Sequence, residues 1–229
     1  MALKPNVPKL LSLNAGFVDT MGFLMLHGLF TAHVTGNFVT LGASMAQGAS
    51  GAVAKLLALP VFCVVVVAMR LLRYWLLAWG LPVLRTFLGL MLILLIVSAA
   101  LAIYWGPFHD GDTWQAIATG MMLVTAMSIQ NAVQKVHLSN APPTTLMTGT
   151  TTQIMLDVAD LLHGASGQQL ADIKARLSVM ASSLAAFAIG CMIGALAYLW
   201  VGVWCAVIPP LLVLWTSLLR DAVPAAIPQ

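Results

Sequence analysis

The residues with the clearest potential for chemistry are an acid and an imidazole near the start of the chain, Asp19 and His33. Asp19 falls midway along an apolar stretch, where an ionisable side chain is a functional candidate because an unpaired charge is costly. A histidine changes its charge near neutral pH, so His33 is suited to carry a proton or to donate to an anion. We predict a proton-coupling role for both residues. The alternative is that each is a hydrogen-bonded structural side chain.

Two polar segments that contain glycine interrupt the apolar sequence at corresponding places. Their central residues are Thr35, Gly36 and Asn37 in the first segment, and Thr148, Gly149 and Thr150 in the second. Each precedes a predicted short helix, whose N-terminus offers free N–H donors and a partial positive charge to an anion or a carbonyl oxygen. Such paired interruptions indicate a transporter's substrate-binding site. The alternative is that the threonines only cap buried helix ends and the glycines only permit packing.

The two halves of the chain can be aligned as an internal repeat. Ala15–Thr20 lies over Ala126–Asn131, and the second half then has two extra residues before its glycine segment. This alignment places Gln130 in the position of Asp19, with Asn131 beside it. Both amides can bind a solute without charge, so we add Gln130 and Asn131 to the predicted substrate-binding residues. Any proton coupling is then expected to be asymmetric.

The composition is typical of a membrane protein. Of 229 residues, 61% are hydrophobic and 7% are charged, against about 25% charged residues in an average soluble domain. The basic residues lie near the ends of apolar runs and form no stripe with interleaved aromatic residues, which argues against a nucleic-acid partner. The three cysteines show no CxxC spacing, and no two histidines stand four apart. We therefore expect neither a metal nor another cofactor.

The hydropathy pattern predicts an all-α integral membrane protein with six transmembrane helices and two re-entrant segments. The predicted spans are Leu11–Leu29, Val53–Leu72, Arg85–Trp105, Trp114–Lys135, Leu177–Trp200 and Val203–Leu219. The predicted short helices are Asn37–Gln47 and Thr150–Leu162. The two halves, residues 1–109 and 110–229, each contribute three spans and one broken segment to a single compact membrane domain.

The basic residues predict how the chain crosses the membrane. If both broken segments re-enter, all ten lysines and arginines except Lys55 fall on the cytoplasmic side, together with both termini. If the segments cross completely, four basic residues fall inside and six outside. The preference of basic residues for cytoplasmic loops favours re-entry. The halves then have opposite orientations, as an inverted 3+3 repeat.

The broken segments are predicted to be buried at the centre, because non-helical backbone survives in a bilayer only inside protein or beside a water-filled cavity. Thr31 to Gly36, taken as extended, cover about 20 Å at about 3.3 Å per residue. That length reaches the middle of a hydrocarbon core about 30 Å thick. The two short helices would then point their N-termini at each other near the midplane.

Two further groups carry predictions about contacts. Gly190, Gly194 and Gly202 form a face on which another helix can pack closely, and they suggest a homodimer. Asp157 and Asp160 stand three apart on one face of a predicted helix, so we expect ion pairing; the alternative is that they line a cytoplasmic vestibule. The candidate partners are Lys135, Lys174 and Arg176.

Four segments of the chain resemble a known family. They are AGFVDTMGFL, FTAHVTGNFVTLG, SIQNAVQK and PPTTLMTGTTTQ, and they are similar to the YoaK-like bacterial membrane proteins, called domain of unknown function 1275. The resemblance covers nearly the whole chain and implies six transmembrane helices in a bacterial inner membrane, but no established substrate or catalytic residue. Ser128 stands where the resemblance leads us to expect a glycine.

These features predict a small secondary transporter or permease. We expect an anionic solute, or one that bears a carboxylate or an amide, to bind at the midplane between the two half-helix N-termini. A passive channel would share these elements, and a non-transporting scaffold would have its broken segments packed shut with no cavity. An enzyme is not expected, because neither Ser128 nor Thr35 has an evident Asp–His partnership.

Overall fold

The protein is helical throughout the residues that its structure, a computed structural model, describes: 6–139, 141–145 and 147–221. Within these ranges the chain forms eight α-helices and no strand. They are α1 Asn6–Met25, α2 Asn37–Gln47, α3 Ala52–Ala78, α4 Val83–Trp105, α5 Trp114–His137, α6 Thr148–Leu162, α7 Gly167–Val201 and α8 Ile208–Asp221. A 3₁₀ turn, Val34–Gly36, leads into α2, and another, Gly202–Val207, joins α7 to α8. Both termini, which the basic residues assign to the cytoplasmic side, lie outside the described residues.

Two helices show where hydropathy does and does not locate helix ends. The short helix α2 begins at Asn37 and ends at Gln47, as predicted, and Gly48 ends it with a left-handed backbone, φ 65°. Helix α7 begins at Gly167, well before the predicted Leu177. Its first turns are polar, so hydropathy marks only the apolar part of a longer helix.

Helix α1 runs from Asn6 to Met25, whereas the predicted span extends to Leu29. The helix stops early because His27 and Gly28 have positive φ values of 55° and 86°, and a left-handed backbone cannot continue a right-handed helix. The broken segment therefore starts earlier than predicted.

The prediction that Thr31 to Gly36 are extended is wrong for half of that stretch. Val34–Gly36 forms a 3₁₀ turn that runs directly into α2. A 3₁₀ turn rises only about 2.0 Å per residue, so these residues do not span the predicted distance. In the second half, α6 begins at Thr148 rather than at the predicted Thr150.

Four stretches of the described chain are long and apolar enough to cross a membrane. They are α3, α4, α5 and Gly167–Leu219, which takes in α7 and α8. Six spans were predicted from the sequence. The difference arises because α7 and α8 count as one stretch, and because α1, which carries Asn14 and Asp19, is not among the four. The chain is therefore shown to be an apolar helical protein with four candidate membrane spans.

Helix α1 lies at the centre of the fold, where it packs most extensively against α7 and also against α8 and α5. Three glycines allow the close approach of α1 and α7. A methyl group on Gly190 would overlap the carbonyl oxygen of Leu13, one on Gly16 would overlap that of Phe187, and one on Gly194 would lie 2.8 Å from the oxygen of Phe17. Gly190 and Gly194 are thus covered by α1, whereas a methyl group on Gly202 would meet nothing within 4 Å among the described residues. The homodimer itself stays a prediction.

The contacts of α1 fix the directions of its neighbours. Leu13 meets Gly190 and Phe17 meets Gly194, so α1 and α7 run in the same direction. Helix α5 runs the opposite way, because Leu11, early in α1, meets Gln130, late in α5. Leu26, just after α1, lies instead beside Gly120 near the start of α5.

Helices α3 and α5 start together. Asp112 precedes α5, and its two carboxylate oxygens accept the backbone N–H groups of Gly51 and Val53, each at 2.9 Å. The same end of the molecule holds His27, whose ring bonds to Ser50 at 3.3 Å and to the oxygen of Phe108 at 3.0 Å. The end of α1 and the beginnings of α3 and α5 are therefore joined by one hydrogen-bonded cluster, which we call the Asp112 cluster.

Candidate functional site

The Asp19 carboxylate holds the first broken segment against α1. Its Oδ1 atom accepts the backbone N–H groups of Thr31 at 2.7 Å and Ala32 at 2.8 Å. Its Oδ2 atom lies 2.7 Å from Nδ1 of His33. Asp19 is only 4% exposed, so these groups stand in for the water that a charged carboxylate would otherwise need. Asp19 and His33, predicted separately, thus form one pair.

The His33 ring presents one nitrogen to its surroundings. Because the Asp19 carboxylate is an acceptor, Nδ1 of the ring donates to it, and Nε2 makes no hydrogen bond within the described residues. The ring meets the edges of two aromatic rings, Phe30 at 6.3 Å and Phe187 at 5.5 Å between centroids. Its side chain is 28% exposed. Nε2 is therefore an acceptor when the ring is neutral and a charged donor when it is protonated.

A cavity of about 480 Å³ adjoins this pair; we call it the Asp19 cavity. Its lining is mostly apolar and comes from α1, the first broken segment and α7. The lining residues are Asp19, Thr20, Phe23, Leu24, Phe30, His33, Gly36, Phe187 and Cys191. A large apolar pocket with a few convergent polar groups is the usual form of a small-molecule site.

Among the predicted substrate-binding residues of the first half, only Gly36 lines this cavity. It immediately precedes α2, and a methyl group on it would lie 3.0 Å from the Phe30 ring. Thr35 is exposed, and no side chain caps α2. The buried Asn37 amide bonds to both backbone groups of Phe30, accepting its N–H at 2.9 Å and donating to its oxygen at 2.7 Å. Asn37 therefore fixes the shape of the broken segment.

The second glycine segment lies apart from this cavity. Thr148 and Gly149 are exposed at the start of α6, and no side chain caps that helix. Side-chain capping by Thr35 or Thr148, one of the two roles predicted for them, is therefore not observed. Thr150 is buried, and its hydroxyl has no hydrogen-bond partner among the described residues. Helix α2 packs mainly on α3 and α6 on α7.

Gln130 holds the second broken segment against α5 and α1. Its Nε2 donates to the oxygen of Leu11 at 2.9 Å and to the Thr144 hydroxyl at 3.2 Å. Its Oε1 accepts from the amide of Asn14 at 3.0 Å. Asn14 was not singled out from the sequence, although an amide inside an apolar helix is a signal that could have identified it.

Asn131, the next residue of α5, also contacts the second broken segment. Its Oδ1 accepts the Thr145 hydroxyl at 2.7 Å, and its Nδ2 donates to the oxygen of Met127 at 3.0 Å. The polar atoms of Gln130 and Asn131 are thus used within the protein. Thr144, which accepts from Gln130, and Thr145, which donates to Asn131, were not predicted as site residues. Nothing in their position along the sequence indicates that they contact α5.

A basic side chain of the long helix that follows forms hydrogen bonds with each short helix. The predicted ion pairing of Asp157 is confirmed, with Arg176 as the partner: Nε lies 2.8 Å from Oδ2, and a second guanidinium nitrogen bonds Oδ1. This hydrogen bonding lowers the pKa of the Asp157 carboxyl. In the first half, Lys55 of α3 donates to the buried Ser44 hydroxyl of α2 at 2.5 Å. Within the ranges described, no three His, Cys or Asp side chains are grouped to hold a metal ion.

The helical fold of the described residues, the four long apolar stretches and the low charge content are those of a membrane-like helical protein. The chain belongs to the family described as Protein of unknown function (DUF1275), whose sequence model matches residues 8–219. This match confirms the resemblance seen in the sequence. No curated protein and no solved structure gave a significant match.

Proposed function

We propose that the protein is a secondary transporter or permease for a small solute, and that Asp19 and His33 couple its movement to protons. The observation that carries this proposal is the 2.7 Å contact between the two side chains at the wall of a cavity of about 480 Å³. That volume lies within the range of about 300–1,000 Å³ found for ligand pockets. A titratable pair beside such a cavity can bind a solute and a proton together.

Re-entry of the first broken segment is supported by its two ends. The chain leaves α1 at His27 and returns to it at Ser50, where the two side chains lie 3.3 Å apart. Between these points, Thr31 and Ala32 bond to Asp19, six residues before the end of α1 at Met25 and so about 9 Å back along the helix. The segment thus runs down beside α1 and returns to the same end.

An inverted repeat is supported by the directions of α1 and α5. Under the proposed repeat these helices correspond, and they run in opposite directions, as inversion requires. If both broken segments crossed the membrane, α1 and α5 would run in the same direction. The break contacts also correspond: Asp19 bonds to Thr31 twelve residues later, and Gln130 bonds to Thr144 fourteen residues later. The difference equals the two extra residues of the second half.

The packing of the other helices follows the same symmetry. If α1 to α4 correspond to α5 to α8, the contact of α1 with α7 has its counterpart in that of α5 with α3. The contact of α4 with α5 has its counterpart in that of α8 with α1, and α2 on α3 matches α6 on α7. The two halves are therefore interleaved. This supports six crossings, with both termini on the cytoplasmic side of a bacterial inner membrane as the basic residues predict.

We place the solute in the Asp19 cavity, against His33 and the Gly36 end of α2, with Thr35 and Asn37 nearby. Thr148, Gly149, Thr150, Gln130 and Asn131 form the equivalent region of the second half. An anionic or carboxylate-bearing solute suits a protonated His33 and a helix N-terminus. The open cavity at the first broken segment favours transport over a scaffold role, for which that segment would be packed shut.

The experiment is a thermal-unfolding screen of the purified protein against carboxylates, phosphate, amides and ammonium ions, at pH 5.5 and pH 8. The diagnostic variant is His33→Asn, whose short amide can replace Nδ1 as a donor to Asp19 but cannot titrate. The matched control is His163→Asn, at an exposed position after α6. We expect one class of solute to stabilise the wild type and the control in a pH-dependent manner, and His33→Asn to lose that pH dependence.

A flux assay separates the remaining outcomes. In proteoliposomes that contain a pH-sensitive dye, addition of the stabilising solute should move protons through the wild type and not through His33→Asn. Solute flux without proton movement would instead indicate a passive channel. If no solute in the screen stabilises the protein, the transport proposal fails and the scaffold alternative is favoured.

A further inference from the structure

A second cavity, of about 420 Å³, lies between α3, α4 and α5; we call it the Arg70 cavity. Most of its lining comes from α3 and α5. Under the proposed repeat, these two helices correspond to α7 and α1, which line the Asp19 cavity. Its lining residues are Phe62, Val66, Met69, Arg70, Phe87, Asn131, Ala132, Lys135 and Val136. The two cavities differ in charge, because this one has two cations in place of an acid and an imidazole.

The two cations of the Arg70 cavity have free donors. No carboxylate lines the cavity, and Lys135 makes no hydrogen bond or ion pair within the described residues. Arg70 donates from Nε to the Tyr74 hydroxyl at 3.0 Å. The two terminal nitrogens of its guanidinium group make no hydrogen bond to any residue that the structure describes. Both side chains are exposed. They can therefore meet an anion without breaking an existing ion pair.

The cations lie toward one end of an otherwise apolar cavity. Helices α3 and α5 both start at the Asp112 cluster and run in the same direction, so Arg70 and Lys135 both lie toward the far end. Nearer the Asp112 cluster, α3 contributes Phe62 and Val66 to the wall. A ligand that fills this space needs an anionic group at one end and an apolar body at the other.

We propose that the Arg70 cavity binds an anionic phospholipid, with its phosphate between Arg70 and Lys135 and an acyl chain against Phe62 and Val66. In the orientation proposed above, this end of the molecule lies at the cytoplasmic leaflet, and basic pockets between helices on that side suit anionic headgroups. Inorganic phosphate shares the charge but would leave the apolar wall uncovered. This proposal does not depend on transport.

The test measures binding to the full-length protein in a neutral detergent. Long-chain phosphatidylglycerol is titrated while thermal unfolding and lipid retention by native mass spectrometry are recorded. The comparison ligands are phosphatidylcholine of the same chain length, glycerol phosphate and inorganic phosphate. The variants are Arg70→Gln and Lys135→Gln, and the matched control is Lys174→Gln, which removes an exposed cation on α7.

We expect phosphatidylglycerol to bind and stabilise the protein, with affinity falling about fivefold for each cation removed and unchanged in the Lys174→Gln control. Equal binding of phosphatidylcholine would overturn the proposal, since the cations would then have no role. Equal stabilisation by inorganic phosphate would show a small-anion site without a lipid. An equal loss in Lys174→Gln would show general surface electrostatics and would also overturn it.

Discussion

Replacing Asp19 by alanine should destabilise the protein strongly, because the carboxylate is the hydrogen-bond partner of two buried backbone N–H groups. Thr31 is 0% exposed and Ala32 is 4% exposed, so both N–H groups are buried and lose their acceptor when Oδ1 is removed. A buried donor left without a partner costs about 1–3 kcal/mol. The two donors together give an expected loss of about 2–6 kcal/mol in the free energy of unfolding.

Asp19→Asn should cost less than Asp19→Ala, since the amide oxygen can still accept from both N–H groups. It loses the charge, and hydrogen bonds to charged groups contribute about twice as much as those between neutral groups. In addition, the new NH₂ group would face Nδ1 of His33 and would require the other tautomer of the ring. We expect a loss of about 1–3 kcal/mol for this variant.

The free energy of unfolding can be measured by titration with sodium dodecyl sulfate in mixed micelles, with tryptophan fluorescence as the signal. Asp172→Ala is the matched control, because Asp172 is exposed and, among the described residues, hydrogen-bonds only to Gln168; its effect should stay within about 0.5 kcal/mol. A loss below about 1 kcal/mol in Asp19→Ala would refute the reasoning, because the broken segment would then not depend on this carboxylate.

Two further predictions concern packing and pH. Gly190→Ala should cost about 2 kcal/mol or more in unfolding free energy, as an overpacked contact does, because its methyl group would overlap the oxygen of Leu13. The control Gly42→Ala should be neutral or stabilising, because a methyl group there meets nothing within 4 Å. Equal losses in the two variants would contradict the prediction. Arg176 lowers the pKa of Asp157 from 3.8, so its stabilisation is complete above pH 4 and is lost as the pH falls through the lowered pKa. Melting temperatures from pH 6 to pH 3 should therefore fall more for the wild type than for Asp157→Asn, and parallel curves would contradict the ion pair.

Helix positions were largely predictable from the sequence because they depend on local signals. The short helix α2 has its predicted bounds, because Gly36 stands directly before it and Gly48 directly after it. The end of α1 was not predictable in the same way, because the left-handed backbone of His27 depends on contacts to Ser50 and to Phe108, distant in the sequence. Hydropathy also cannot show whether a helix with buried polar residues, such as α1, is enclosed by the other helices of a membrane protein or belongs to a soluble protein.

The partners of the candidate site residues were harder to predict than their identities. Polarity within an apolar stretch pointed to Asp19, and the alignment of the two halves added Gln130 and Asn131, but most of the groups that they bind come from other segments. The same limit applies to Gly190 and Gly194, because a row of small residues indicates close packing without showing whether the neighbour is another copy or, as observed, α1. Such contacts are set by the tertiary fold.

The contact of His33 with Asp19 gives the first broken segment an ionisable pair, whereas Gln130 and Asn131 give the second segment amide contacts. One carboxylate holds the backbone of Thr31 and Ala32 through Oδ1 and the imidazole through Oδ2, so a change in charge on either partner alters the hold on the backbone. In the second half, the Gln130 amide, which is equivalent to Asp19 under the proposed repeat, does not ionise. Under the proposed transport mechanism, protonation therefore acts on one half of the repeat, and through Gly36 it reaches the start of α2.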